Sequence, residues 1–246
     1  MKGLKLLIAG CMLAISGSAM AEGYNRAGLT YNLGHYNFNK NMSDEANQKG
    51  FCTNGFGLNY VHGFGLSESL PMFIEAGGEL NFNFSNKKVY EGTDEIFGYE
   101  YNIKENSLFQ NINLNVPVNF TWHFAITDDI TVAPYTGFSF KLHMMSRVKN
   151  KTEIKGLPTD VLDDYFGEDE DKWQSVFGSE YKKEWGKTWN RFQMGWQIGA
   201  NAIYQNKYTV GLEYGYDMIP AFSCTEDLDD FRVTNGTFKI TLGYIF

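Results

Sequence analysis

Across residues 108–124 the chain alternates almost without a slip. Ile112, Leu114, Val116, Val118, Phe120, Trp122 and Phe124 are apolar, and Asn111, Asn113, Asn115, Asn119, Thr121 and His123 between them are polar. A period of two places successive side chains on opposite faces of an extended strand. Seven further runs share it: 26–38, 55–66, 72–84, 130–144, 192–204, 208–218 and 237–246. Each is long enough to cross a bilayer at a tilt, which takes about nine to eleven residues. The links between runs decide what the strands build. "SESLP", "AITDD" and "QNK" are short and polar, whereas the links after the first, third, fifth and seventh runs are long. A soluble sandwich explains the alternation but gives no reason to gather every long link at one end. A barrel with short turns on one side of a membrane and long loops on the other does.

The expected fold is therefore all-β, an eight-stranded antiparallel up-and-down transmembrane β-barrel, with its apolar face toward lipid and its polar face lining the lumen. Only a closed sheet pairs every backbone group in hydrocarbon. Aromatics at the short-turn ends, Tyr24, Phe64, Phe73, Trp122, Phe124, Tyr204, Tyr208, Tyr244 and Phe246, read as an interfacial girdle. Pro117 and Pro134 fall inside runs and each lacks a backbone donor, so a bulge or strand end is expected near each.

The first residues carry an address. Lys2 and Lys5 precede an apolar stretch from Leu6 to Ile15 and the small residues Ala19, Met20 and Ala21, which is the plan of a secretory signal peptide over 1–21, cut before Glu22. Reading Ile8, Ala9, Gly10 and Cys11 as a lipoprotein cleavage box would leave too short an apolar region before Cys11. Losing Lys2 and Lys5 lowers the 21 basic residues to 19, against 29 acidic ones. That acidic excess argues against nucleic acid as a partner. Aromatics make up 16% of a chain that is polar on average, with mean hydropathy −0.34, as suits strands greasy on one face only. The barrel domain is expected over 22–246, with a long outer loop at 146–190.

"NLNVPVNF" before a short turn, "VAPYTGFSF" after it and the terminal "LGYIF" resemble the porin-like family of small bacterial outer-membrane β-barrels. The resemblance implies residence in the bacterial outer membrane, contact with its lipid, and the barrel-assembly machinery as a partner during insertion. It also implies that Tyr244 and Phe246 in the last strand act as the assembly signal. The family's members differ widely in function, so the resemblance does not supply one.

Strand parity points Arg26, Glu75, Glu79, Lys141, Glu213, Asp217 and Lys239 into the lumen, with His123 and His143. Two fates fit these groups: a plug of mutual salt bridges, or a narrow gated conduit or interior ligand site. The glycines Gly55, Gly57, Gly63 and Gly65 thin the inner wall of the second strand for its neighbours. A catalytic barrel needs a nucleophile or water-activating His beside an acid. His35 and His62 have no evident acid partner, so no enzyme, cofactor or metal site is expected.

In the third loop, "DVLDDYFGEDED" holds seven acids but lacks the spacing of an EF-hand; it reads as a solvated acidic face, with a loose divalent-cation site as the alternative. Beyond it, Trp173, Phe177, Trp185 and Trp189 are candidate contacts for a surface ligand or for the barrel rim. Cys52 and Cys224 remain after signal cleavage. Closing the barrel brings the first and fourth loops side by side, so a disulfide between them is expected. The function expected is non-enzymatic: envelope support or surface interaction through the long loops, with the surface ligand unidentified. The alternative is a small passive channel for ions or solutes.

Overall fold

In the computed structural model the described residues are 21–39, 50–96, 99–156, 172–224 and 231–246. Residues 1–20 of the signal segment and the acidic run 160–171 lie outside them. In chain order the elements are β1 (Ala21–Phe38), β2 (Gly50–Gly65), β3 (Met72–Ile96), β4 (Tyr99–Trp122), β5 (Phe124–Ala125), β6 (Ile130–Lys155), β7 (Gln174–Ser175), a short helix α1 (Ser179–Trp185), β8 (Phe192–Tyr204), β9 (Tyr208–Asp217), β10 (Phe222–Cys224) and β11 (Phe231–Ile245). The eight long strands pair antiparallel in the order β1-β2-β3-β4-β6-β8-β9-β11, and β11 pairs back onto β1 from Arg26↔Ile245 to Phe38↔Val233. The sheet thus has no free edge through the barrel wall, the condition for backbone in hydrocarbon.

The molecule is inside out relative to a soluble protein. Leu29, Leu58 and Leu242 are each about 60% exposed on the outer wall, while Asn115 and Thr121 are fully buried within. Between the last pair, Tyr204↔Tyr208, Gln205 and Asn206 both have positive φ (50° and 54°) and the Lys207 N–H donates to the Tyr204 carbonyl, a primed β-turn whose twist matches that of the flanking strands. The β2–β3 and β5–β6 links lie at the same end, as do Ala21 and Phe246, and the long links lie at the other.

Of the two prolines, Pro117 departs from the expectation and Pro134 meets it. Pro117 sits mid-ladder opposite Ser139 with no shift of register. On its other side the β3–β4 ladder lapses between Ala76↔Val118 and Glu79↔Asn115 and resumes in the same register, because the missing donor costs pairing without adding a residue. The bulge of this region is at Met144, skipped between His143 and Met145. Pro134 does lie where β4 gives way to β5.

Two segments read as loops are strand. β2 releases β3 at Phe84, yet β3 and β4 continue paired as far as Ile96↔Tyr99, and β6 follows β4 out to Lys155. Residues 85–107 are therefore largely a hairpin, and the link read as 146–190 begins with ten strand residues, 146–155. Alternation there is blurred because both faces of this extension leave the hydrocarbon.

The Cys52–Cys224 bridge is not formed. Cys52 is an exposed free thiol within β2, with its sulfur 3.1 Å from His35 Nδ1 across the β1–β2 ladder. Through His35 it is level with Gly236 of β11, whereas Cys224 pairs with Phe231 of the same strand. Those levels are about 16 Å apart along the strand, and three strand spacings add about 14 Å laterally. A disulfide needs α-carbons within about 7 Å. Closure does bring the strands together, but register keeps the cysteines apart. Intact-mass analysis of inserted protein, alkylated without reductant, is expected to show adducts on both cysteines; a mass lacking both would restore the bridge.

Candidate functional site

The lumen is a stack of polar layers set by inward parity. At the short-turn end, Arg26 of β1 meets Glu75 of β3 at 3.2 Å, and the Tyr24 hydroxyl donates to the same carboxylate at 2.5 Å. The Tyr24 ring packs on Phe73 and His123, at 5.2 and 5.4 Å between centroids. Tyr24 and Phe73 thus close the lumen from within instead of joining the girdle, since they share parity with Arg26 and Glu75. The rest of the girdle keeps its place: Trp122 stacks on Phe124, and Tyr244 lies between Tyr208 and Phe246.

In the next layer, the Lys239 ammonium of β11 lies 2.7 Å from Glu79 and 3.0 Å from Glu213. Thr30 and Asn115 also donate to Glu79, and the Tyr135 hydroxyl donates to Glu213. Higher still, Lys141 reaches Asp217 at 2.6 Å, and His143 lies 2.7 Å from both Asn111 and the Gln193 amide. The seven lumen carboxylates, lysines and arginine therefore fall into three groups, each pairing opposite charges out of water. Such pairs hold because each carboxylate finds a cation and further donors; the arrangement costs dearly only when a partner is lost. Voids between the layers are about 20 and 30 Å³, room for about one or two waters each. Glycines make the space, as a Cβ on Gly57 would strike the Asn81 amide and one on Gly63 the Tyr24 ring.

Above the polar layers the interior turns apolar. Tyr36, Phe109, Ala221, Phe222, Phe231 and Val233 form a buried cluster at the loop end, with Phe38, Phe51, Tyr181, Trp185 and Trp189 packed on it. Sequence reading missed this cap. Its trace was there, as Tyr36 and Val233 are apolar residues on lumen parity at the outer ends of their strands.

The four aromatics singled out in the third loop divide into two pairs. Arg147 stacks on Trp173 at 4.5 Å and Arg191 on Phe177 at 4.3 Å, which pins the loop to the barrel rim. Trp185, at the end of α1, and Trp189 instead line a cavity of about 440 Å³ over the cap. Gly186 ends α1 at φ 71°, a left-handed conformation that glycine adopts without strain, and so turns the chain from Trp185 toward Trp189. Trp189 donates its indole N–H to the Tyr181 hydroxyl at 2.9 Å, and burial pushes the Tyr181 phenol up to about 12, so it stays neutral. The far wall of the cavity is the β3–β4–β6 extension.

The histidines assemble no catalytic group among the described residues. His62 shares the Asn25 amide with Tyr60, and His35 faces Cys52 on the exposed outer wall. No group of three or more potential metal ligands occurs among the described residues.

A family model described as the outer membrane protein beta-barrel domain matches residues 7–246. The chain belongs to this family of outer-membrane β-barrels. Its place is the bacterial outer membrane, with the exposed apolar belt facing lipid. No curated protein matches the chain. Among solved structures it is similar to Ail, the attachment invasion locus protein of Yersinia pestis, in complex with the heparin analogue sucrose octasulfate (12% identity, 92% of this chain and 99% of that chain covered, TM-score 0.39). It is likewise similar to Neisserial surface protein A (10%, 92% and 99%, 0.34) and to OprG from Pseudomonas aeruginosa (8%, 92% and 97%, 0.36).

Proposed function

We propose that this outer-membrane barrel is a non-enzymatic surface-interaction protein, its membrane body serving as a rigid anchor for the exterior structure. One observation carries the reading: β3, β4 and β6 run to 25, 24 and 26 residues, whereas β8 and β9 have 13 and 10. The twelve residues of β3 beyond Phe84 extend about 40 Å at the usual rise. A chain that only needed to cross the membrane would gain nothing from ordering so much backbone outside it. The test compares intact protein with a variant whose 86–106 and 148–189 segments are replaced by short turns, both as heat-modifiable barrels in the outer membrane. Cells carrying the intact form are expected to be retained on immobilised surface proteins or glycans, and cells carrying the trimmed form to be released. Equal retention would overturn the reading.

The channel alternative meets an obstacle in the paired lumen. Each lumen carboxylate is held by a cation, three cations against four carboxylates, and the voids of about 20 and 30 Å³ between the layers hold one or two waters each. Purified protein in planar bilayers is expected to show no stepwise openings at physiological salt. Regular unitary steps would favour the channel.

A further inference from the structure

The outer cavity has a chemistry more specific than loop contact in general. Its apolar side is a set of fixed aromatic rings: Trp189 lies 5.8 Å from Phe109, Phe109 is edge-on to Phe51 at 5.3 Å, and Trp185 stacks with Tyr181 at 6.0 Å. Its other wall is polar, and regularly so. Across the β4–β6 ladder, Glu105 pairs with Thr152 and Ser107 with Asn150 on the same face as Phe109, so an amide, hydroxyls and a carboxylate are held two residues apart along the strands. On the inward faces Lys87 stands against Glu105 and Glu184, while Lys151 is paired with Glu153, so the described lining has no excess of cations.

We propose that this cavity binds an uncharged oligosaccharide, a reading that rests on the surface-interaction function above. A pyranose ring presents an apolar C–H face that stacks on aromatic rings and a rim of hydroxyls that both donate and accept. Rings on one side and mixed amides, hydroxyls and carboxylates on the other match those two demands. An acyl chain would leave the polar wall unsatisfied. A sulfated or phosphorylated ligand would need an excess of cations that the described lining lacks. The volume lies within the roughly 300–1,000 Å³ of small-ligand sites. Because the rings are already packed and Trp189 is hydrogen-bonded, little side-chain freedom remains to be lost on binding.

The experiment uses full-length protein in lipid nanodiscs on an array of neutral, sialylated and sulfated glycans, followed by tryptophan-fluorescence titration with the glycans retained. Neutral chains are expected to bind and to stay bound at about 0.5 M salt, where exposed ionic contacts are screened. The Ser107→Ala/Asn150→Ala variant, which leaves the rings intact, is expected to lose about tenfold or more in affinity through two or more lost hydrogen bonds. Trp185→Ala is expected to lose both affinity and most of the fluorescence change, with heat-modifiability unaltered in both variants. Binding confined to anionic glycans and abolished by salt would overturn the proposal, as would no glycan binding at all. If cells carrying the intact protein are still retained through the exterior segments in that case, the cavity assignment falls and the surface-interaction reading stands. Loss of that retention as well would remove both.

Discussion

Replacing Lys239 by methionine is expected to destabilise the folded barrel by about 3–5 kcal/mol, the cost of stranding a buried charge by removing its partner. Lys239 is 5% exposed and is the ion-pair partner of both Glu79 and Glu213 in the lumen, so its loss leaves two carboxylates facing each other. The Tyr135 hydroxyl and the Thr30 and Asn115 donors remain, but none carries a compensating charge. The measurement is the urea midpoint of unfolding from lipid vesicles, compared with Lys239→Met combined with Glu79→Gln and Glu213→Gln. The triple variant is expected to recover most of the loss, since it removes the uncompensated charges along with the cation. A single variant within about 1 kcal/mol of the parent, the size of an exposed pair, would show that water reaches this layer and that the lumen is not the packed plug described.

The second large effect concerns the last residue. Phe246 closes the β1–β11 seam by accepting from Asn25 N–H at 3.3 Å and donating its own N–H to the Asn25 carbonyl at 2.9 Å, and its ring stacks near Tyr244. Deleting it removes two hydrogen bonds and one interfacial ring, a modest loss if stability alone were at stake. On the proposal that the ring also serves as the docking signal for assembly, we expect the deletion to lower the amount of heat-modifiable barrel in the outer membrane at least about tenfold. Phe246→Ala separates the roles, since it keeps the backbone seam and removes only the ring. It is expected to assemble as poorly as the deletion in cells, yet to refold normally from urea into detergent. Normal levels of Phe246→Ala in the outer membrane would refute the signal; poor refolding in both settings would make Phe246 a stability residue only.

Much of the architecture was legible because alternation is a local property. Any four or five residues of 112–122 show which side chains share a face, and the same parity puts Arg26, Glu75, Lys141 and Lys239 on the inner wall without reference to any other strand. The unequal links then orient the barrel. Parity could also have placed Tyr24 and Phe73 inside. An aromatic near a membrane interface reads as girdle by composition, and only its contacts with His123 and Glu75 distinguish plug from girdle.

What the sequence could not decide depends on register, which no single strand contains. Lys239 meets Glu79 and Glu213, and Lys141 meets Asp217, because strands up to 160 residues apart slide to particular offsets when the sheet closes. A shift of two residues would keep every face and change every partner. The same offsets hold Cys52 and Cys224 apart although their strands are close neighbours in the ring. They also carry β3, β4 and β6 beyond the membrane, where one-sided hydrophobicity no longer marks a strand, and so build the wall of the outer cavity. Faces follow from the period of the chain, whereas pairings, the aromatic cap and the cavity follow from closure of the sheet.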